Sequence, residues 1–204
     1  MLQFIVTGSG AVYGKGGNGG KGANIDQPAP DPGDTNGATP GGHALSVSYD
    51  STVIVESGGI LAGGGGGGGG GGYSYFNSSN TRSGGGGGGG GQGYPGGSGG
   101  PGSDLPTPGV APLPGRNIAG NSGFDGSIDG PGNGGSGGGP PNWDPKTGGS
   151  GGSLGMNGNK GQDSGHGGGF VTEAGDGSAA GAAIYHPGVT ITLLPSQGTI
   201  LGAT

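Results

Sequence analysis

The run Gly63-Gly-Gly-Gly-Gly-Gly-Gly-Gly-Gly-Gly72 leads through Tyr73-Ser-Tyr-Phe-Asn-Ser-Ser-Asn-Thr-Arg-Ser83 into a second pure glycine run, 84–91. Such runs have no side chain to pack and none to do chemistry. Glycine also loses more conformational freedom on folding than any other residue. The runs are therefore either flexible linker or a structure that only glycine can build. The buildable structure is a polyproline-II-type helix of about 3 residues per turn and ~3.1 Å rise, whose backbone N–H and C=O groups point outward. Packed side by side, such helices can satisfy one another's backbone groups, provided no Cβ intervenes.

Composition narrows the choice. The chain has 67 glycines in 204 residues, only 9% charged residues and no cysteine. Low hydrophobicity with low charge fits neither an ordinary globule nor a polyelectrolyte-like disordered tail. Order must come from backbone hydrogen bonds around small apolar patches. The net charge of −6 and the six scattered Lys and Arg residues argue against nucleic acid as a partner. No segment approaches the length of a membrane span, so no membrane insertion is expected. Without cysteine, neither disulfides nor thiolate metal sites contribute.

A repeat favours order over linker. Phe4-Ile-Val-Thr-Gly-Ser-Gly-Ala-Val-Tyr13, Val53-Ile-Val-Glu-Ser-Gly-Gly-Ile-Leu61 and Thr190-Ile-Thr-Leu-Leu-Pro-Ser-Gln-Gly-Thr-Ile200 each read as a β-branched strand, a Ser/Gly turn and a short apolar return. This is hairpin chemistry, and self-similarity signals stacked units. Ile5, Val53, Val55, Ile60, Leu61, Ile191, Leu193 and Ile200 are expected to form a small core. The predicted fold is irregular and all-β-like: one domain, 1–204, of packed polyglycine-II helices capped by short β-hairpins, with almost no α-helix. Glycine tracts 14–22, 58–72, 84–102, 130–139, 148–169 and 175–181 alternate with loops 23–42, 73–83, 103–121 and 140–147. Matching turns at one end place loops 23–42 and 73–83 together at the other, roughly 30 Å away for ten residues at ~3.1 Å each. A collagen triple helix is excluded by the broken glycine period.

The pattern resembles the polyglycine-sandwich adhesins at the tips of T-even-type phage long tail fibres. The features that carry the resemblance are Gly10-Ala-Val-Tyr-Gly-Lys-Gly-Gly-Asn-Gly-Gly-Lys-Gly22, the Gly-Gly-Ile-Leu-Ala preceding the ten glycines, and Ala183-Ile-Tyr-His-Pro-Gly-Val-Thr-Ile-Thr192. The resemblance implies loops that bind a bacterial receptor, either an outer-membrane protein or a surface glycan. It also implies other tail or fibre proteins as partners and a place in the virion at the tail or tail-fibre tip. The separate N-terminal fibre-attachment domain of those adhesins has no counterpart before the first repeat.

Catalysis is not expected. No Gly-x-Ser-x-Gly lies between a strand and a helix, and Gly-x-Gly-x-x-Gly matches arise by chance in a chain one-third glycine. His43, His166 and His186 are too far apart for a zinc motif and read as loop histidines. Asp125 and Asp129 in Gly123-Phe-Asp-Gly-Ser-Ile-Asp-Gly130 read as turn residues. No metal or cofactor is expected. Tyr73, Tyr75 and Phe76 either cap the glycine bundle or anchor a partner. With Asn77, Asn80, Arg82, Arg116 and Trp143 they form the candidate receptor-binding set, because Tyr, Trp and Arg dominate binding hot spots. The competing reading is a structural glycine-rich virion component that binds no receptor.

Overall fold

A computed structural model describes residues 2–24, 37–76, 81–104, 117–138, 146–163, 173–194 and 198–204. The described residues contain short strands and no helix. Most of the rest is laddered irregular chain, and the organising element is the pair of pure glycine runs.

The hydrogen-bond partners of run 63–72 change direction with every residue and recur every third. Gly64 and Gly67 donate to Gly42 and Thr39. Gly65, Gly68 and Gly71 donate to Gln92, Gly89 and Gly86. Gly66, Gly69 and Gly72 donate to Met156, Asn159 and Gln162. Three other neighbours donate into the same run: Gly17, Gly20 and Ala23; Gly181, Ser178 and Gly175; and Gly155, Gly152 and Gly149. Six segments thus surround 63–72. A Cβ on any of residues 63–71 would meet a neighbour's carbonyl oxygen at 1.8 to 2.5 Å, so the packing itself demands glycine.

Run 84–92 is enclosed in the same way. It donates to 118–127, 14–23 and 146–152, and accepts from 63–72, 97–103 and 132–138. Followed outward, the ladder joins ten described runs in three layers. The first layer holds 37–42, 14–23 and 97–103. The middle layer holds 174–182, 63–72, 84–92 and 118–127. The third holds 155–162, 146–152 and 132–138. Only the two inner runs have neighbours on every side, and these are the pure glycine ones. Run 14–23 has one outward side, which shows Lys15, Asn18 and Lys21 at intervals of three. Run 118–127 lies at a lateral edge and keeps glycine only at 120, 123 and 126. Glycine frequency therefore reports how many sides of a run are covered.

Successive runs alternate in direction. Register shows 14–23, 63–72, 97–103, 132–138 and 155–162 running one way and the other five running back. The stretch 84–102 turns at 92–96 and 148–169 turns near 153–156, so each holds two opposed runs where the sequence suggested one tract.

At the near end of the runs the three repeats stack. Strands β1 (Leu2–Val6), β2 (Ala11–Tyr13), β3 (Leu45–Ser46), β4 (Ser51–Val55), β5 (Ile60–Ala62), β6 (Ser74–Phe76), β7 (Thr81–Ser83), β8 (Asn117–Ile118), β9 (Ile184–Tyr185), β10 (Ile191–Leu193) and β11 (Thr199–Leu201) are defined. The repeats are not hairpins. The first arms pair in parallel as β1-β4-β10, with Leu2 opposite Ser51 and Ile191. The return arms pair in parallel as β11-β5-β2. Each repeat is an arc whose arms belong to different sheets, and the turn chemistry is shared with hairpins: Gly10 N–H donates to Thr7 O and Gly59 N–H to Glu56 O, both at 2.8 Å. At Gly58 the backbone has φ +84°, a conformation glycine adopts without strain.

Between the arms lies a small core of Val6, Val47, Val53, Val55, Leu61, Ala183 and Ile184, with Phe4, Val12, Ile191 and Ile200 packed against it. Three expected core residues lie outside. Ile60, at the start of β5, is half-buried and not part of the cluster. Ile5 is 47% exposed because it faces away from Phe4 and Val6, and Leu193 is 43% exposed on the outer strand β10.

Candidate functional site: the far end of the runs

The alternation of the runs decides where their connections fall. Every connection at the far end joins an outgoing run to a returning one: 24–37, 73–83, 104–117, 139–145 and 163–173. The described ends of the 24–37 and 73–83 connections lie at the same end of the runs, whereas 37–42, expected within a loop 23–42, is itself a run of the lattice. The opposite end holds the arc strands.

The stems of these connections are cross-tied. β6 and β7 form an antiparallel hairpin, Tyr75 opposite Arg82, and β7 pairs in parallel with β8. This three-stranded sheet joins the 73–83 connection to the exit of 104–117. Ser83, 1% exposed, donates its hydroxyl to Gly138 O and so pins the sheet to run 132–138. Ser103 is buried, and its Oγ accepts from Gly120 N–H at 2.8 Å. Lys21 Nζ lies 3.0 Å from Asp104 Oδ2, and Asp104 N–H donates to Asn24 Oδ1 at 3.1 Å. Asp163 spans the ends of the 163–173 connection: its Oδ1 accepts from Ala174 N–H at 2.8 Å, and Lys160 Nζ is 3.0 Å away. The Ala174 bond chiefly, and then Lys160, hold the Asp163 carboxyl below its ordinary pKa, while the bond to Asp163 raises Lys160. Among the described residues each of the five stems thus carries a side-chain tie, that of 139–145 through Gly138 O, which fits a rigid platform at this end.

The candidate residues fall as follows. Tyr73 sits at the end of the first inner run and is 4% exposed, so it covers the end of the bundle and presents no surface to a partner. Tyr75, Phe76 and Arg82 lie on the β6–β7 hairpin, described here by backbone pairing alone. Asn77, Asn80, Arg116 and Trp143 lie outside the described residues. The hairpin register brings Tyr75 and Arg82 opposite one another, and β8 adds Asn117 beside Arg82, a neighbour the sequence did not suggest. Two buried serines at the stems, Ser83 and Ser103, also escaped notice, since nothing distinguishes them from loop serines in the sequence.

Among the described residues no group of His, Cys, Asp or Glu could hold a metal ion, and no helix is long and apolar enough to cross a membrane. His43 and His186 lie apart from the far end. His43 stacks on Tyr185 with ring centroids 4.3 Å apart and accepts from Ala182 N–H through Nδ1 at 2.9 Å. Asp125 accepts from Gly99 N–H at 2.7 Å, a role between runs rather than in a metal site.

The glycine lattice thus brings the described ends of five connections to one end of the runs. The chain belongs to the Gp38 family of phage tail fibre adhesins, whose family model matches residues 2–204. No curated protein sequence matches it. A similar solved structure is the gp37–gp38 adhesin tip complex of the bacteriophage S16 long tail fibre, 22% identical with a TM-score of 0.48. That similarity covers 98% of this chain and 63% of that one, so this chain spans under two thirds of its length.

Proposed function

We propose that this protein is a non-enzymatic adhesin at a phage tail-fibre tip, which binds a host surface receptor through the segments at the far end of its runs. The runs are polyglycine-II helices in this reading, supported by hydrogen-bond partners that recur every third residue. Membership of the tail fibre adhesin family supports the virion location. The observation that carries the reading is that the outgoing runs end, and the returning runs begin, at the end away from the arc strands, with 24–37, 73–83, 104–117, 139–145 and 163–173 joining them there. The partner is an outer-membrane protein or a surface glycan, and the protein is mounted on other fibre proteins. Tyr75, Phe76, Asn77, Asn80, Arg82, Arg116 and Trp143 make the contact, and Tyr73 supports them from below.

Adsorption of the purified protein to intact cells of the phage's host tests this. A variant carrying Arg82→Ala and Trp143→Ala, with an unchanged circular dichroism spectrum, is expected to lose at least tenfold in binding. Equal binding by variant and wild type would remove these residues from the site. No binding by wild type would favour the structural reading.

A further inference from the structure

The near end carries a feature that adhesion at the far end does not use. β1 is the outer strand of the sheet β1-β4-β10. Natural edge strands are blunted by lysine, proline or bulges. Leu2-Gln-Phe-Ile-Val6 has none of these, pairs residue for residue with β4 through its whole length, and is apolar at four of five positions. Leu2 is 60% exposed. Beside it opens a groove of about 250 Å³ lined by Leu2, Phe4, Leu45, Val47, Tyr49 and Val53. Tyr49 at its rim is 76% exposed. The other outer strand, β10, is shorter and is followed closely by Pro195.

Charge narrows the occupant. The segments that build this end, 2–13, 43–62 and 183–204, contain Asp50 and Glu56 but no lysine or arginine. Five of the six basic residues, Lys21, Arg82, Arg116, Lys146 and Lys160, belong to the far half of the runs or to their connections.

We infer that β1 is a strand-addition site for the fibre protein that carries this adhesin. The incoming segment is extended, places alternate apolar side chains in the groove beside Phe4 and Tyr49, and carries Lys or Arg suited to an end with acidic residues and no basic ones. Main-chain bonds to β1 supply affinity and the groove supplies register. The inference rests on the tail-fibre reading above for the identity of the partner, and concerns the opposite end of the molecule.

Amide hydrogen exchange on the full chain tests it, alone and after mixing with tail fibres purified from particles made without this protein. The amides of residues 2–6 are expected to slow at least tenfold on attachment, with those of β11 unchanged. A Leu2→Lys variant is expected to lose attachment at least tenfold and to retain binding to host cells. Attachment that leaves 2–6 unchanged overturns the inference, as does failure of wild type to attach. Protection of 2–6 that grows with protein concentration in the absence of fibres assigns the edge to a second copy and also overturns it. Host-cell binding, measured on the same preparations, reports on the far end alone, so either reading can fail without the other.

Discussion

Replacing Gly67 by alanine tests the packing that the fold depends on. A Cβ there would lie 1.8 Å from Asn18 O and 2.4 Å from Asn18 C, both backbone atoms in the neighbouring run 14–23. Neither can rotate away, so runs 14–23 and 63–72 must separate by more than 1 Å. The flanking bonds Gly17 N–H to Gly65 O and Gly20 N–H to Gly68 O, at 2.9 and 2.8 Å, would break. Each lost bond costs about 1 kcal/mol net, and each buried group left unpaired costs ~1–3 kcal/mol. Two such bonds, each leaving a buried group unpaired, give a loss of roughly 2–6 kcal/mol, against a typical total stability of ~5–15 kcal/mol. The opposing gain from a stiffer unfolded chain is only about 0.4–1 kcal/mol. Gly130 is the matched control, since a Cβ there meets nothing within 4 Å. Urea denaturation of both variants reads the difference. Gly67→Ala is expected to lower the midpoint strongly or prevent folding, and Gly130→Ala to stay within about 0.5 kcal/mol of wild type. Equal midpoints for the two would refute the close-packed lattice.

Three further outcomes are expected. Leu61→Ala empties the centre of the arc core, where Leu61 is fully buried, and should cost ~2–5 kcal/mol by the same denaturation measurement. Ser103→Ala leaves the Gly120 N–H without its acceptor and should cost about 1–3 kcal/mol, with exchange of the Gly120 amide accelerated in NMR spectra. Asp163 has a folded pKa below its unfolded value near ~3.9. Its stabilising contribution is therefore complete above that value and is lost as pH falls through the folded pKa. Asp163→Asn should lower Tm at pH 7 and narrow its gap to wild type below pH 3; a gap that persists unchanged at low pH would contradict the assignment.

Much of the architecture is legible in the sequence because glycine records enclosure. Two stretches with no side chain at any position, 63–72 and 84–91, must be covered on all sides, and they form the two inner runs. The shared end of the 24–37 and 73–83 connections follows from the repeat of turn and tract, but the loop bound at 42 does not, because 37–42 is a run. Runs such as 37–42 and 118–127 were harder to see. A run at the edge needs glycine on few sides, so Asn121, Phe124 and Asp125 disguise it as loop. In sequence the arcs look like hairpins because a Thr-Gly-Ser-Gly turn serves both, and only the partner of each arm tells them apart. Here the partner is the equivalent arm of another repeat, distant in sequence. At the far end, Tyr73 looks in sequence like its neighbours Tyr75 and Phe76. Its burial depends on its place at the last step of an enclosed run, which composition does not reveal.

The account's central claim is that one end of this scaffold meets the host. Hydroxyl-radical footprinting of the protein adsorbed to isolated host outer membranes addresses it directly, because reactive aromatic side chains occur in the connections of the far end and at the near end, where Met156 also lies. The account predicts that Phe76 and Trp143 lose reactivity on adsorption while the exposed Tyr49, Tyr94 and Met156 at the near end keep theirs. Protection of Tyr49, Tyr94 and Met156, with Phe76 and Trp143 still reactive, would contradict it.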